Sequence, residues 1–117
     1  NLAQFVHPPE ADAAQLGNTV LQRVRELATT QGLRVTSSQT AAPREDKDQP
    51  GFGRIGVSLR VEGDWPQLQG LLRALPAERP AIYSDTMQLL SQGTQAGRAS
   101  AMIQAQLELF VLQERQP

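Results

Sequence analysis

Apolar and polar side chains alternate over positions 54–62 (RIGVSLRVE) of this chain of 117 residues, and this pattern limits the possible folds more than any other segment does. Apolar residues hold the odd positions, while polar or charged residues hold most of the even positions. Successive side chains of a β-strand point to opposite faces of a sheet, so this segment is predicted to be a strand with one apolar and one polar face. The apolar face needs a cover, and other parts of the chain must supply it.

An amphipathic helix is predicted between Ala11 and Gln31. Leucine, valine and alanine recur there at spacings of three and four, which places them on one side of a helix, while charged residues fall largely on the other side. Gly32 follows at the position where a left-handed residue commonly caps a helix C-terminus. This helix is predicted to cover the apolar face of the sheet.

A second, shorter helix is predicted to begin after Asp64. The Asp64 side chain can accept from the free N–H groups of the first turn, and Gln67 stands at the reciprocal position of a capping box. Trp65, at the first helical position, is predicted to lie over the core. A leucine stripe follows at helical spacing, and Pro76 and Pro80 are predicted to end the helix.

Three further strands are predicted at 33–40, 81–90 and 103–111, and a turn is predicted at 91–99. In the strand at 81–90, the apolar residues change from even to odd positions near Ser84, so a β-bulge is predicted between Ser84 and Thr86. The element order is therefore α-β-β-α-β-β, which is one αββ unit used twice.

This order predicts an α+β domain with a ferredoxin-like, circularly permuted fold. The two halves share a four-stranded antiparallel sheet, and both helices lie on one face of it. The handedness of crossover connections limits the topology and puts the two most cleanly alternating strands in the centre. The domain is predicted to span 11–112, after an extended lead-in at 1–10 and before a polar tail at 113–117.

The residues that carry enzyme or metal chemistry are largely missing. The chain has no cysteine, and its one histidine, His7, falls in the lead-in, where we expect it to be exposed. Thiolate zinc sites and a serine–histidine triad within the fold are therefore excluded. The acidic residues of 41–51 are interrupted by Arg44 and Lys47 and lack the glycine of a calcium loop, so they are predicted to form a solvated loop. We expect no catalytic residue, no cofactor and no metal.

The remaining functions are those of a binding surface. A net charge of −1 without a run of like charges argues against nucleic-acid or membrane-surface binding. One candidate is an exposed edge at 33–40 or 81–90, where a partner strand could pair. The other is the polar face of the sheet, where Phe110 is a candidate anchor. A small-ligand regulatory domain is the alternative of a different class. The candidate interface residues are Arg60, Ser58, Gln104, Gln106, Phe110 and Tyr83.

Several segments resemble type II secretion system protein M, subtype b. They are the run LQRVRELATTQGLRVTSS at 21–38, the run at 54–89 that opens with RIGVSLRVEGDWPQL, and the closing MIQAQLELFV. The features that follow the family's pattern in order are Arg54-Ile55, Gly63-Asp64 before a leucine-rich helix, Pro80, Ile82 and Asp85.

This resemblance implies a single-pass inner-membrane protein with a ferredoxin-like periplasmic domain and no enzymatic activity. Family members form homodimers and bind the periplasmic domain of protein L in the platform that supports pseudopilus assembly and protein export. Other platform or pseudopilus components are further implied partners. Because the chain begins at Asn1 and has no long apolar run, we expect a membrane anchor upstream of it. The pilus-assembly protein O family shares the same plan and is the alternative.

Overall fold

A computed structural model describes residues 5–94 and 101–115, without the side chains of 91–94 and 101. Two helices, α1 (Ala13–Thr30) and α2 (Trp65–Ala77), pack on one face of a six-stranded mixed sheet. The fold is α+β. Its strands are β1 (Val6–His7), β2 (Arg34–Thr40), β3 (Arg44–Glu45), β4 (Phe52–Gly63), β5 (Tyr83–Thr94) and β6 (Ala101–Glu114).

The centre of the sheet is formed by β4 and β6, as the alternation in their sequences predicted. They pair antiparallel over their common length, from Phe52 opposite Glu114 to Gly63 opposite Ile103. β2 borders β4 on one side, and β5 borders β6 on the other. The two strands with the weaker alternation therefore lie at the edges, as predicted.

The prediction of four strands was wrong, because each edge is extended by a two-residue strand. β1, within the predicted lead-in, pairs parallel with β6 through Val6 and Leu112, which makes the sheet mixed. His7, expected to be exposed, is half-buried there. β3, within the predicted loop, pairs with β4 through Arg44 and Arg54. Two residues are too few to show an alternation, so neither strand was visible in the sequence.

Both ends of α1 are capped by local hydrogen bonds. The Asp12 side chain accepts from the Ala14 N–H at 3.0 Å. At the other end Gly32 has a φ of 86°, and the Leu33 N–H donates to the Ala28 carbonyl at 3.0 Å. This 6→1 bond belongs to a Schellman motif, and it confirms the predicted cap at Gly32.

The predicted capping box of α2 is also present. The Gln67 N–H donates to the Asp64 side chain, and the Asp64 N–H donates to the Gln67 side chain, both at 2.9 Å. The helix continues through Pro76 and ends at Ala77. Trp65 was predicted to lie over the core, but it is 43% exposed at the start of the helix, so that prediction was wrong.

The core lies between the helices and the sheet face made by the odd-numbered residues of β4 and β6. The most central side chains are fully enclosed: Val24 of α1, Leu71 of α2 and Leu107 of β6 each have 0% exposure. Neither helix in the described part of the chain is long and apolar enough to cross a membrane. None of the residues that the structure describes forms a helix on the opposite face of the sheet, which is called the open face below.

β5 has the bulge that the sequence predicted, since its register shifts between Ser84 and Thr86. A second shift lies between Leu89 and Ser91. The strand continues to Thr94, so the predicted turn was wrong for 91–94, and 95–100 lie outside the described residues. Cross-strand pairing with β6 extends β5 here, where the sequence alone shows only polar and glycine residues.

Candidate functional site

All six candidate interface residues lie on the open face. In β4 and β6, Arg60 stands opposite Gln106, and in β5 and β6, Tyr83 stands opposite Phe110. Their even numbers in β4 and β6 put them on the side away from the helices. The sheet register therefore joins residues that are distant in sequence into one surface: Arg60, Ser58, Gln104, Gln106, Phe110 and Tyr83.

An aromatic stack occupies one end of the open face. The rings of Tyr83 and Phe110 have centroids 5.3 Å apart and an interplanar angle of 24°. The guanidinium carbon of Arg54 lies 3.9 Å from the centre of the Phe110 ring, which is a cation–π contact. Phe110 is thus half-buried at the centre of a stack, whereas the sequence suggested an aromatic residue isolated among polar ones.

Arg54 also joins the stack to a group of charges that the sequence did not assign to the site. Its Nε donates to Asp46 Oδ2 at 3.1 Å, and its Nη1 lies 3.7 Å from Asp85 Oδ1. Arg44 Nη2 lies 3.6 Å from the other oxygen of Asp85. The even position of Arg54 in the alternating strand was the sequence signal for its face, but its partners are non-local.

Asp46 is the one buried polar or charged side chain among the described residues, with 5% exposure. Besides Arg54, it accepts from the backbone N–H groups of Asp48 at 2.9 Å and Gln49 at 3.2 Å. Burial acts to raise the pKa of its carboxyl group, but the Asp48 N–H and the Arg54 guanidinium outweigh burial and leave the pKa below its ordinary value. The prediction of a solvated loop was therefore wrong at Asp46.

A depression of about 320 Å³ adjoins the stack and is partly lined by Gly56, Phe110, Arg44 and Arg54. Gly56 stands opposite Phe110 in the sheet, and a Cβ atom at Gly56 would lie 3.4 Å from the Cβ of Ala41. The absence of a side chain at Gly56 thus keeps the depression open beside an aromatic ring. Its lining mixes cationic, anionic and apolar groups.

The middle of the open face is a ladder of side-chain hydrogen bonds. Arg60 Nη2 donates to Gln106 Oε1 at 2.7 Å, Gln106 Nε2 donates to Glu108 at 2.8 Å, and the Ser58 hydroxyl donates to Glu108. The polar groups therefore already have partners and hold each other in place. A ligand that binds here must fit this arrangement or replace its bonds.

The ladder ends at Glu62, which joins the edge of the sheet to its centre. Gln104 Nε2 donates to Glu62 at 2.8 Å, and Arg34 Nη2 of β2 donates to the same carboxylate at 3.1 Å. The bond from Gln104, followed by the charge of Arg34, holds the pKa of Glu62 below its usual value against the opposing effect of burial. Glu62 is thus an anion with two fixed donors.

Within the described residues, no group of three or more histidine, aspartate or glutamate side chains could hold a metal ion. In that same part of the chain, every buried side-chain nitrogen or oxygen atom has a hydrogen-bond partner. A stack, a depression and a ladder of satisfied polar groups form a surface suited to another protein.

Comparison with known proteins identifies one family and several solved structures of similar fold. The family model described as type II secretion system (T2SS), protein M subtype b, matches residues 2–113. The crystal structure of the type 4 fimbrial biogenesis protein PilO from Pseudomonas aeruginosa is similar in fold, with a TM-score of 0.69 at 8% identity. That similarity covers 91% of this chain and 74% of the PilO chain.

Two structures from Akkermansia muciniphila are also similar in fold. One is a core domain with a TM-score of 0.66 at 9% identity, and the similarity covers 86% of this chain and 60% of that domain. The other lacks its transmembrane region and has a TM-score of 0.63 at 12% identity, with 86% of this chain and 56% of that protein covered. This chain thus spans little more than half of these proteins. A comparison with curated protein sequences gave no match.

Proposed function

This chain belongs to the family of type II secretion system protein M, subtype b, and we propose its function on that basis. Membership makes it a component of a secretion or pilus assembly platform. The proposal is that it is a non-catalytic scaffold of the type II secretion platform in the inner membrane. It forms homodimers and binds the periplasmic domain of protein L, and so supports pseudopilus assembly and protein export.

We also propose a location and a fold type for the domain. It is the periplasmic domain of a single-pass inner-membrane protein. The four long strands and two helices form a circularly permuted ferredoxin-like arrangement, to which β1 and β3 are edge additions. Such a domain supplies a rigid sheet whose helix-free face can meet a partner.

The observation that carries the proposal is the open face with its stack of Arg54, Phe110 and Tyr83. Aromatic and arginine side chains are enriched where protein–protein interfaces hold most of their binding energy. The stack is partly buried and its members are held by their neighbours, so little side-chain entropy is lost when a partner covers it. The polar ladder beside it supplies the hydrogen-bonding rim that an exchangeable interface needs.

We assign the open face to protein L. The depression beside Phe110 can take a side chain from the partner, and the charges of Arg44 and Asp85 at its border can orient that side chain. Arg60 is the exposed member of the ladder and extends the contact toward the middle of the sheet. Recognition of protein L at the open face then depends on complementary shape and charge, and not on a large apolar area.

Titration of this domain with the periplasmic domain of protein L tests the assignment. Phe110→Glu removes the ring and places a second anion beside Asp85, so we expect binding to weaken by about tenfold or more. Arg60→Ala should weaken binding less, because it leaves the stack intact. Gln22→Glu, on the exposed side of α1, is the matched control and should leave binding unchanged.

Thermal unfolding of each variant confirms that it is folded before its binding is interpreted. If Phe110→Glu and Arg60→Ala are both folded and bind protein L as the unchanged domain does, the open face is not its docking surface. Secretion of an exported substrate, measured with the full-length protein carrying each variant, separates a type II secretion role from a pilus role.

A further inference from the structure

Exposed apolar side chains are concentrated on β5. Five large apolar side chains are exposed among the described residues, and three of these fall within four positions of one strand. They are Met87, Leu89 and Leu90, with exposures of 41%, 51% and 39%. A cluster of this kind on a protein surface marks a place of contact more often than a scattered residue does.

The position of β5 in the sheet explains why these side chains are uncovered. Met87 stands opposite Leu107 and Leu89 stands opposite Ala105, and both partners on β6 are fully buried. Met87 and Leu89 therefore point to the same side of the sheet as the core. Their exposure means that the helices stop short of this part of the edge strand.

On its outer side, the backbone of β5 has no partner strand among the described residues. Within residues 5–94 and 101–115, β5 pairs only with β6, and β1 lies at the far end of the same edge, next to Leu112. In the part of the chain that the structure describes, residues 84–90 make no backbone hydrogen bond outside the sheet. In an edge strand every second residue directs its N–H and C=O groups away from the sheet, so this edge offers donors and acceptors to another strand.

The composition of this edge favours a neutral partner. Residues 86–94 (TMQLLSQGT) contain no charged residue and no proline, which are common protections of an edge strand. The opposite edge differs, since β2 carries Arg34 and β3 consists of Arg44 and Glu45. Two bulges interrupt β5, but the segment from Thr86 to Leu89 between them is regular.

We propose that a second copy of this chain docks on this segment, by antiparallel pairing of Thr86–Leu90 with the same segment of its partner about a twofold axis. A neutral segment meets itself without placing like charges opposite each other. Met87, Leu89 and Leu90 of both copies then shield one another from water. This inference rests on the proposed homodimer and names its surface, and it leaves the open face free for protein L.

Sedimentation of this domain over a wide concentration range tests the inference. The unchanged domain should be a reversible dimer. Leu89→Lys places two cations near the twofold axis and removes apolar contact, so we expect the dissociation constant to rise by about tenfold or more. Gln39→Lys adds the same charge to the exposed edge strand β2 and should leave the dimer unchanged.

Residue-resolved hydrogen exchange on the unchanged domain gives a readout that needs no variant. At concentrations where the dimer forms, alternate backbone amides between 86 and 90 should exchange more slowly than in the monomer, by about tenfold or more. This pattern distinguishes backbone pairing from contact through side chains alone. It therefore tests the proposed dimer surface even if Leu89→Lys does not fold.

Three outcomes would overturn the inference: a dimer that Leu89→Lys leaves intact, a dimer without protection at 86–90, or a monomer at every concentration. In the first two cases the proposed homodimer stands and only its surface is wrong. A monomer at every concentration removes the homodimer itself. Binding of protein L by Leu89→Lys, measured separately, tests the remaining scaffold function.

Discussion

Arg54 donates a hydrogen bond from Nε to the buried carboxylate of Asp46 at a distance of 3.1 Å. This ion pair connects the charged loop at 41–51 to the open face, because the same guanidinium lies over the ring of Phe110. The order of contacts is Asp46, Arg54, Phe110 and Tyr83. Through Arg54 the loop therefore holds the aromatic stack in place, although the loop contains no aromatic residue.

Replacing Asp46 with alanine should destabilise the domain by about 1–3 kcal/mol, because Arg54 and two backbone N–H groups lose their shared acceptor. Urea unfolding at neutral pH measures the loss. Asp48→Ala is the matched control, since Asp48 is exposed in the same loop, and we expect it to change stability by less than about 0.5 kcal/mol. Equal effects of the two substitutions would contradict the buried role of Asp46.

The lowered pKa of Asp46 predicts a dependence of stability on pH. The folded protein favours the ionised carboxylate, so this group stabilises the fold above the pKa of the unfolded chain, about 3.9 for aspartate. That contribution is lost as the pH falls through the lower pKa of the folded state. The free energy of unfolding should therefore fall more steeply in acid for the unchanged domain than for Asp46→Asn.

Glu62 and Glu78 also have lowered pKa values, so the unchanged domain and Asp46→Asn both lose stability in acid. The difference between their free energies of unfolding, followed as a function of pH, gives the contribution of Asp46 alone. Parallel curves from neutral pH down to about pH 3 would mean that Asp46 titrates alike in the folded and unfolded chains.

Replacing Gly32 with alanine should destabilise the domain by about 1–2 kcal/mol, because the residue adopts a positive φ of 86° at the end of α1. A Cβ atom there would also lie 2.7 Å from Nε2 of Gln67, which must move. Gly51→Ala is the matched control, since Gly51 has a φ of 97° but no atom within 4 Å of the added Cβ.

Thermal unfolding of the two glycine variants separates conformational strain from crowding. We expect a loss of stability in both variants and a larger loss for Gly32→Ala. A Gly51→Ala variant that loses more stability than Gly32→Ala would contradict the contribution of the Gln67 contact.

Elements with a long, regular pattern could be predicted from the sequence. The alternation over 54–62 and 103–111 identified both central strands, because one buried face imposes a period of two on every residue of a strand. Caps at Asp64 and Gly32 were equally predictable, since a cap depends on residues within one turn of the helix end. The same period located the bulge after Ser84, where the apolar phase changes.

The candidate site was predicted only in part. Phe110 and Arg60 could be assigned to the polar face because their positions in the alternation determine it. The partners of Phe110 could not, since Arg54 and Tyr83 reach it through pairing between strands that are far apart in sequence. In the sequence, Asp46 resembles the other acidic residues of a polar loop, and its pairing with Arg54 follows only from the position of Arg54 in the folded sheet.

The two helices, the central strands and the polar face of the sheet could be predicted before the fold was known, because each follows from periodicity or from contacts within a turn. The short strands β1 and β3, the continuation of β5 to Thr94 and the exposure of Trp65 are instead consequences of the folded arrangement. These features depend on which distant strand or helix lies alongside, and the residue pattern within one segment does not specify that neighbour.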